Sequence, residues 1–185
     1  GGIETYSSDP AATMGVRFAQ TLGSYDASRT YLRIDSGEVE GLGGTNSGYL
    51  SVVRQKARAW EFNARQGGWQ GNAKFVHKGE NGTLTGYFNI SDKAEPNQDS
   101  VAHNAGGLEP YYRSLLYPNW QAALAYVDAN GAPPANNPNN YMNYFGDAQR
   151  TDYLGYIKYE HRFGDALTWS NQVYYHHDEG QGQIT

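Results

Sequence analysis

The sequence contains no cysteine. It therefore has neither a disulfide framework nor a thiolate for catalysis or metal binding, and its redox compartment stays open. It also lacks any run approaching the roughly 18–20 consecutive apolar residues that a membrane-spanning helix needs, which excludes a helical membrane protein. No basic run of the kind that tracks phosphate appears, and a net charge of −5 argues against a nucleic-acid partner. The opening Gly1-Gly2-Ile3 shows no charged n-region and no apolar core, so no signal peptide is visible. An exported protein would have lost one, and the opening reads like the middle of a longer chain. Catalytic signatures are missing as well. There is no nucleophile elbow, phosphate loop or metalloprotease helix, and no carboxylate pair whose spacing can be argued. Neither an enzyme nor a bound cofactor or metal is expected.

What the chain does have is aromatic side chains and glycine: 16 Tyr, 4 Trp and 23 Gly in 185 residues. Tyr and Trp favour strands, and glycine well above the average of about 7% suits turns and strand bends. The pattern that uses them is an alternation of period two. From Arg150 to His177 one hairpin is expected, with Tyr153, Gly155, Ile157, Tyr159 and Phe163 on one side of its first arm. Tyr156, Lys158, Glu160 and Arg162 lie on the other. After a Gly164-Asp165 turn, Leu167, Trp169, Val173 and Tyr175 alternate with Thr168, Ser170, Gln172, Tyr174 and His176. Arms of this length exceed the usual soluble strand of about 5–6 residues and fit a tilted strand of about 9–11 crossing a bilayer.

Five further strands are expected upstream: Thr13–Leu22, Arg29–Gly37, Gly48–Lys56, Trp69–Lys78 and a fifth around Leu84–Ser91. The facing of the third is ambiguous, because Leu50 and Val52 share a parity with Arg54 and Lys56. Asn81-Gly82 is the strongest short hairpin signal, since both residues tolerate positive φ. Between about 93 and 148 the alternation stops, in a stretch too long for an ordinary connection. Within it Trp120, Leu124 and Val127 have helical spacing, and Asn119 is placed to cap a short helix to about Asp128. The bland account of that helix is a stripe packed on the loop itself. The fold class expected is all-β: an antiparallel up-and-down transmembrane β-barrel, present in part as about seven strands, with one long extracellular loop at about 93–148. Short turns then fall on the periplasmic side and long ones outside.

Charges facing hydrocarbon at mid-membrane cost about 2–4 kcal/mol. Parity therefore directs Arg17, Arg33, Asp35, Lys74, Lys158, Glu160 and Arg162 to the lumen. Their plainest role is pairing with one another and with whatever fills the lumen. His176-His177-Asp178-Glu179 is the single cluster with metal-ligand chemistry. Adjacent strand residues point to opposite faces, so a polar rim at the outer mouth is the favoured account and no metal is expected. His77, His103 and His161 are read as structural. Ligand contact is expected from the long loop, through Tyr111, Tyr112, Arg113, Tyr117, Trp120, Tyr141 and Tyr144. Aromatic and Arg side chains suit a flat anionic metal chelate, although a loop simply rich in Tyr is equally common.

Gly1-Gly2-Ile3-Glu4-Thr5-Tyr6-Ser7-Ser8-Asp9-Pro10 resembles the last plug segment of TonB-dependent outer-membrane receptors. Gly15–Leu22, Gly23-Ser24-Tyr25 and Ser28–Gly37 resemble that family's first barrel hairpin. Gly48-Tyr49-Leu50-Ser51, Tyr153–Phe163 and Tyr174–Asp178 are similar to later strands. The resemblance covers essentially the whole chain, with loose motifs whose order carries the weight. It implies residues 1–10 as a remnant of the plug and 11–185 as the beginning of the barrel. It also implies a plugged barrel of about 22 strands in the bacterial outer membrane. That barrel would take up a scarce nutrient such as a ferric siderophore, with a TonB complex as partner through the plug and the lipid bilayer as surroundings. Nearly all of the plug, including any TonB-contacting box, is missing here. Seven strands leave two open edges, which lipid does not tolerate, so a fragment of a longer polypeptide is expected. Two other classes fit parts of the pattern: a passive porin-like small barrel, and a soluble carbohydrate-binding β-sandwich with its apolar face turned inward.

Overall fold

Alternating side chains in long arms resolve into strands longer than the alternation alone suggests. A computed structural model describes residues 7–59, 65–96, 103–104, 107–108, 120–131 and 147–182. The strands are β1 (Met14–Leu22), β2 (Ser28–Ser36), β3 (Val39–Gly41), β4 (Gly44–Arg58), β5 (Arg65–Gly79) and β6 (Gly82–Pro96). After them come β7 (His103–Asn104), β8 (Gly107–Leu108), the helix α1 (Trp120–Asn130), β9 (Asp147–Phe163) and β10 (Leu167–Gly182). One antiparallel sheet runs β1-β2-β4-β5-β6-β9-β10, with the short β3 paired to β4. With β3 and the insert that carries β7, β8 and α1 set aside, each strand of this path pairs with the next along the chain, as in an up-and-down meander. The register is regular throughout, for instance Val16↔Ile34, Ile34↔Leu50, Leu50↔Ala73, Ala73↔Phe88, Phe88↔Gly155 and Gly155↔Tyr175.

Several boundaries differ from the sequence expectation. β4, β5 and β6 are each 15 residues long, and β9 reaches 17, because mutual pairing extends ladders through polar residues at which the alternation fades. β6 continues to Pro96 and β9 begins at Asp147, which shortens the expected loop at both ends. The gap also holds a two-stranded ladder, β7 with β8. α1 runs to Asn130, two residues past the expected end, with Ala123 as its fully buried residue. The proposed cap Asn119 lies outside the described residues.

Two hairpin turns show where positive φ is and is not used. In the glycine-rich stretch between 41 and 48, Gly44 to Gly48 are already paired in β4. The turn is Leu42-Gly43, closed by Gly41↔Gly44, with φ of 54° and 76°. Two positive φ values are the mark of a type I′ hairpin, here with a leucine at a position that favours Asn or Gly. Asn81-Gly82, by contrast, sits at a hairpin without using positive φ at either residue; Glu80-Asn81 bend and Gly82 opens β6. The hairpin forms where the sequence predicts it, but not through positive φ at Asn81 or Gly82.

The two faces of the sheet are inverted relative to a water-soluble domain. Exposed large apolar side chains include Val16, Phe18, Leu32, Ile34, Leu50, Val52, Phe75, Phe88, Ile157 and Val173. The register puts all of them on one face. Buried side chains on the opposite face include Arg33, Asp35, Ser47, Ser51, Lys74 and Ser91, with Tyr49 and Val76 among them. The third strand's ambiguous facing is thereby resolved. Tyr49 and Ser51 point to the polar side, and Leu50, Val52, Arg54 and Lys56 all share the apolar one. Strands β1 and β10 form the edges and are exposed at every residue.

Candidate functional site on the polar face

Arg33 and Asp35 are two residues apart on β2, so both reach the same face. Asp35 accepts from Arg33 Nη2 at 2.6 Å on Oδ1 and from Arg33 Nε at 2.9 Å on Oδ2. This forked, charge-assisted pair is the strong geometry for Arg and carboxylate. Arg17, opposite Arg33 in the β1–β2 ladder, adds a contact from Nη2 to Asp35 Oδ2 at 3.3 Å. Arg33 also lies 3.8 Å from the centroid of the Tyr49 ring, a cation–π stack.

The chain ahead of β1 lies against this face. Arg33 Nη1 donates to Ser8 Oγ at 2.7 Å, and its Nη2 donates to the Asp9 carbonyl at 2.8 Å. Lys74 Nζ reaches Asp9 Oδ1 at 2.7 Å and the Ser7 carbonyl at 3.3 Å. The Ser7 and Tyr156 hydroxyls are 3.0 Å apart. Ala11 N–H donates to Asp35 Oδ1 at 2.9 Å, and Glu38 N–H to the Ala12 carbonyl at 2.9 Å. Residues 7–12 are thus held by side chains of β2, β5 and β9. The Asp9 carboxyl titrates below its ordinary value, first because it accepts a hydrogen bond from Lys74 and second because of that ammonium charge.

Across the sheet the register aligns Asp35, Tyr49, Lys74, Tyr87, Tyr156 and Tyr174 in one row. The Tyr87 and Tyr156 rings stack at 5.2 Å. A cavity of about 690 Å³ opens beside this row, lined by Ser7, Asp9, Lys74, Tyr87, Tyr156 and Lys158 among others. Lys158 pairs with Glu160 at 3.0 Å. The site is a balanced polar surface, with cations and carboxylates already engaged and phenol hydroxyls between them. It can hold a strand or a polar solute by hydrogen bonding, and it assembles no nucleophile with a base.

All seven residues assigned to the lumen, Arg17, Arg33, Asp35, Lys74, Lys158, Glu160 and Arg162, fall on this one face. Arg162 stands apart at the turn end, where its backbone N–H donates to the Asn81 carbonyl at 2.8 Å. The ladder separates the two histidines: His176 is 3.4 Å from Asp152 on the polar face, and His177 lies beside the Tyr153 ring on the other. His77 is 3.0 Å from Asn46 Oδ1 and His161 is 3.2 Å from the Tyr159 hydroxyl. Among the described residues no three His, Asp or Glu side chains converge. Tyr111, Tyr112, Arg113, Tyr117, Tyr141 and Tyr144 lie outside the described residues; Trp120 opens α1, and its side chain is outside them too.

Sequence reasoning missed the anchoring by Ser7, Ser8 and Asp9 and the role of Tyr49. The parity of Tyr49 with Ser51, and of Tyr87 and Tyr156 with the charged residues, was the signal for the tyrosine row. Nothing local announces that a Ser-Ser-Asp-Pro stretch crosses a sheet. No protein-family model, curated protein or solved structure matches this chain.

Proposed function

We propose that this chain is a section of the wall of a bacterial outer-membrane β-barrel that takes up a nutrient through a TonB-dependent cycle. In this reading the apolar face meets lipid, the polar face lines the lumen, and residues 7–12 are the end of a plug seated against the wall. The observation that carries the reading is the inversion of the faces: large apolar side chains of seven successive strands are exposed while Arg33, Asp35 and Lys74 are covered. In water so broad a contiguous apolar surface is an aggregation hazard; in a bilayer it is the required outer band. The exposed edges β1 and β10 demand further strands, since an unpaired edge in hydrocarbon leaves its N–H and C=O groups unsatisfied. A covering segment on the polar side suits a plugged lumen better than an open pore, and this favours the receptor over a passive porin. The ligand, on this reading, is a small polar chelate such as a ferric siderophore.

The test uses the full-length protein in outer-membrane vesicles, with nitroxide labels at Phe88, Asn89, Ile157 and Lys158 introduced one at a time. Dissolved oxygen should broaden the labels at 88 and 157, and a water-soluble nickel chelate those at 89 and 158. Equal access of the nickel chelate to all four sites would defeat the proposal and favour a soluble sheet.

A further inference from the structure

One feature of the apolar face does not suit hydrocarbon. Beyond Leu50 and Val52 the same side of β4 carries Arg54, Lys56 and Arg58. The β4–β5 register places Arg54 opposite Trp69, Lys56 opposite Gly67, and Arg58 opposite Arg65. Four cations therefore stand on one outward-facing patch at the end where the chain turns back through its longer connections. They line a cavity of about 430 Å³ together with Trp69, Asp92 and Lys93. Two carboxylates border it, and both have other partners: Asp26 is bound by Arg58 at 2.5 Å, and Asp92 faces the Thr151 hydroxyl at 3.4 Å. Arg54, Lys56 and Arg65 have no carboxylate partner among the described residues. The Arg54 guanidinium sits 4.7 Å from the Trp69 ring centroid, so the indole fixes its direction. The floor is Gly67-Gly68 at φ of 141° and 155°, where an added side chain would run into the backbone at Gln55 and Asp92.

Cations on the lipid side are tolerated only near the interface, where their cost falls to about 0–1 kcal/mol. A tryptophan at the boundary marks that same level. Exposed, unpaired cations beside a half-exposed indole offer charge and a hydrogen-bond fork to a phosphate held at headgroup depth. We propose that this patch binds the phosphate of an anionic lipid headgroup in the outer leaflet, with Arg54, Lys56 and Arg65 as its ligands and Trp69 packed along the lipid's first carbons. The inference rests on the membrane reading above and adds a lipid class and a leaflet to it.

Detergent-solubilised full-length protein is titrated with dioleoyl phosphatidic acid or dioleoyl phosphatidylcholine, and bound lipid is counted by native mass spectrometry. Phosphatidic acid should bind at least tenfold more tightly than phosphatidylcholine. Combining Arg54→Gln, Lys56→Gln and Arg65→Gln should remove that preference, while the milder single Lys56→Gln weakens it severalfold if the triple variant fails to fold. Millimolar inorganic phosphate should not compete, since the acyl chains contribute; full competition would make the site a free-phosphate site and overturn the lipid assignment. Equal binding of the two lipids by a protein that still gives the expected nitroxide pattern defeats the lipid site alone. A protein that fails the nitroxide test and binds neither lipid defeats the membrane reading with it.

Discussion

Replacing Asp35 with Asn tests whether the covered ion pair holds the sheet and the preceding segment together. The asparagine keeps the shape and loses the charge, so Arg33 keeps one neutral acceptor and faces two amide hydrogens. The forked pair amounts to two charge-assisted hydrogen bonds, each contributing about 1.5–3 kcal/mol. Stranding a buried partner costs about 3–5 kcal/mol in a protein interior. Here the cover is a single segment rather than a packed core, so water lies a side chain away. The cost therefore falls at or just below the low end of that range, about 2–3 kcal/mol. Asp35 also accepts from Ala11 N–H and Arg33 also grips Ser8 and Asp9, so the loss should concentrate on residues 7–12. Urea titration of the full-length protein, with protease cleavage around Asp9-Pro10 as the local readout, should show cleavage at lower urea than the unfolding of the sheet. A double change, Arg33→Met with Asp35→Leu, should recover the stability of the sheet to within about 1 kcal/mol, as replaced buried ion pairs often do. It should leave the segment loose. Asp35→Asn with unaltered cleavage and an unaltered midpoint would refute the reasoning.

If the proposed membrane reading holds, Ile157→Arg should cost about 2–4 kcal/mol of stability in a bilayer, and Thr85→Arg on the polar face far less; refolding yield into vesicles separates the two. Leu42→Asn should stabilise by about 0.5–1 kcal/mol, because Leu42 sits at φ 54° in a type I′ turn; a lowered urea midpoint would contradict that assignment. Gly68→Ala should destabilise by more than about 2 kcal/mol through collision with the Asp92 carbonyl, read as a lowered urea midpoint. The Asp9 carboxyl is depressed in the folded state by Lys74. Its anchoring is therefore complete above the unfolded value of about 3.9 and is lost as pH falls through the lower folded value. Protease protection of residues 7–12 should stay flat from neutral pH to about 4.5 and then drop, and Lys74→Gln should remove that acid step.

The strands were readable because each alternates two kinds of side chain, and parity fixes facing once a single residue is assigned. Ile157 beside Lys158 needed no structure to be placed on opposite faces. Leu50 and Val52 beside Arg54 and Lys56 did, because the parity rule gives contradictory answers where a strand passes from one environment to another. Neighbouring strands had to vote, and Tyr49 opposite Lys74 settled it. The two central residues of the Leu42-Gly43 turn could not be picked out among the surrounding glycines, because its leucine violates the residue preference that defines the signal. Seating of Ser7, Ser8 and Asp9 was invisible for a different reason: contacts such as Asp9 with Lys74 join residues 65 positions apart, and no local pattern encodes them.

The β6–β9 ladder pairs Pro96 with Asp147 and continues without a fault to Gly82 and His161, although some fifty residues intervene between its strands. Closing such a length rather than a five-residue turn costs only about 2 kcal/mol in chain entropy, a small debt against fifteen successive ladder rungs. The sheet is in that sense indifferent to what hangs from its rim. The insert can be exchanged wholesale, with the strands beneath it asked to change nothing.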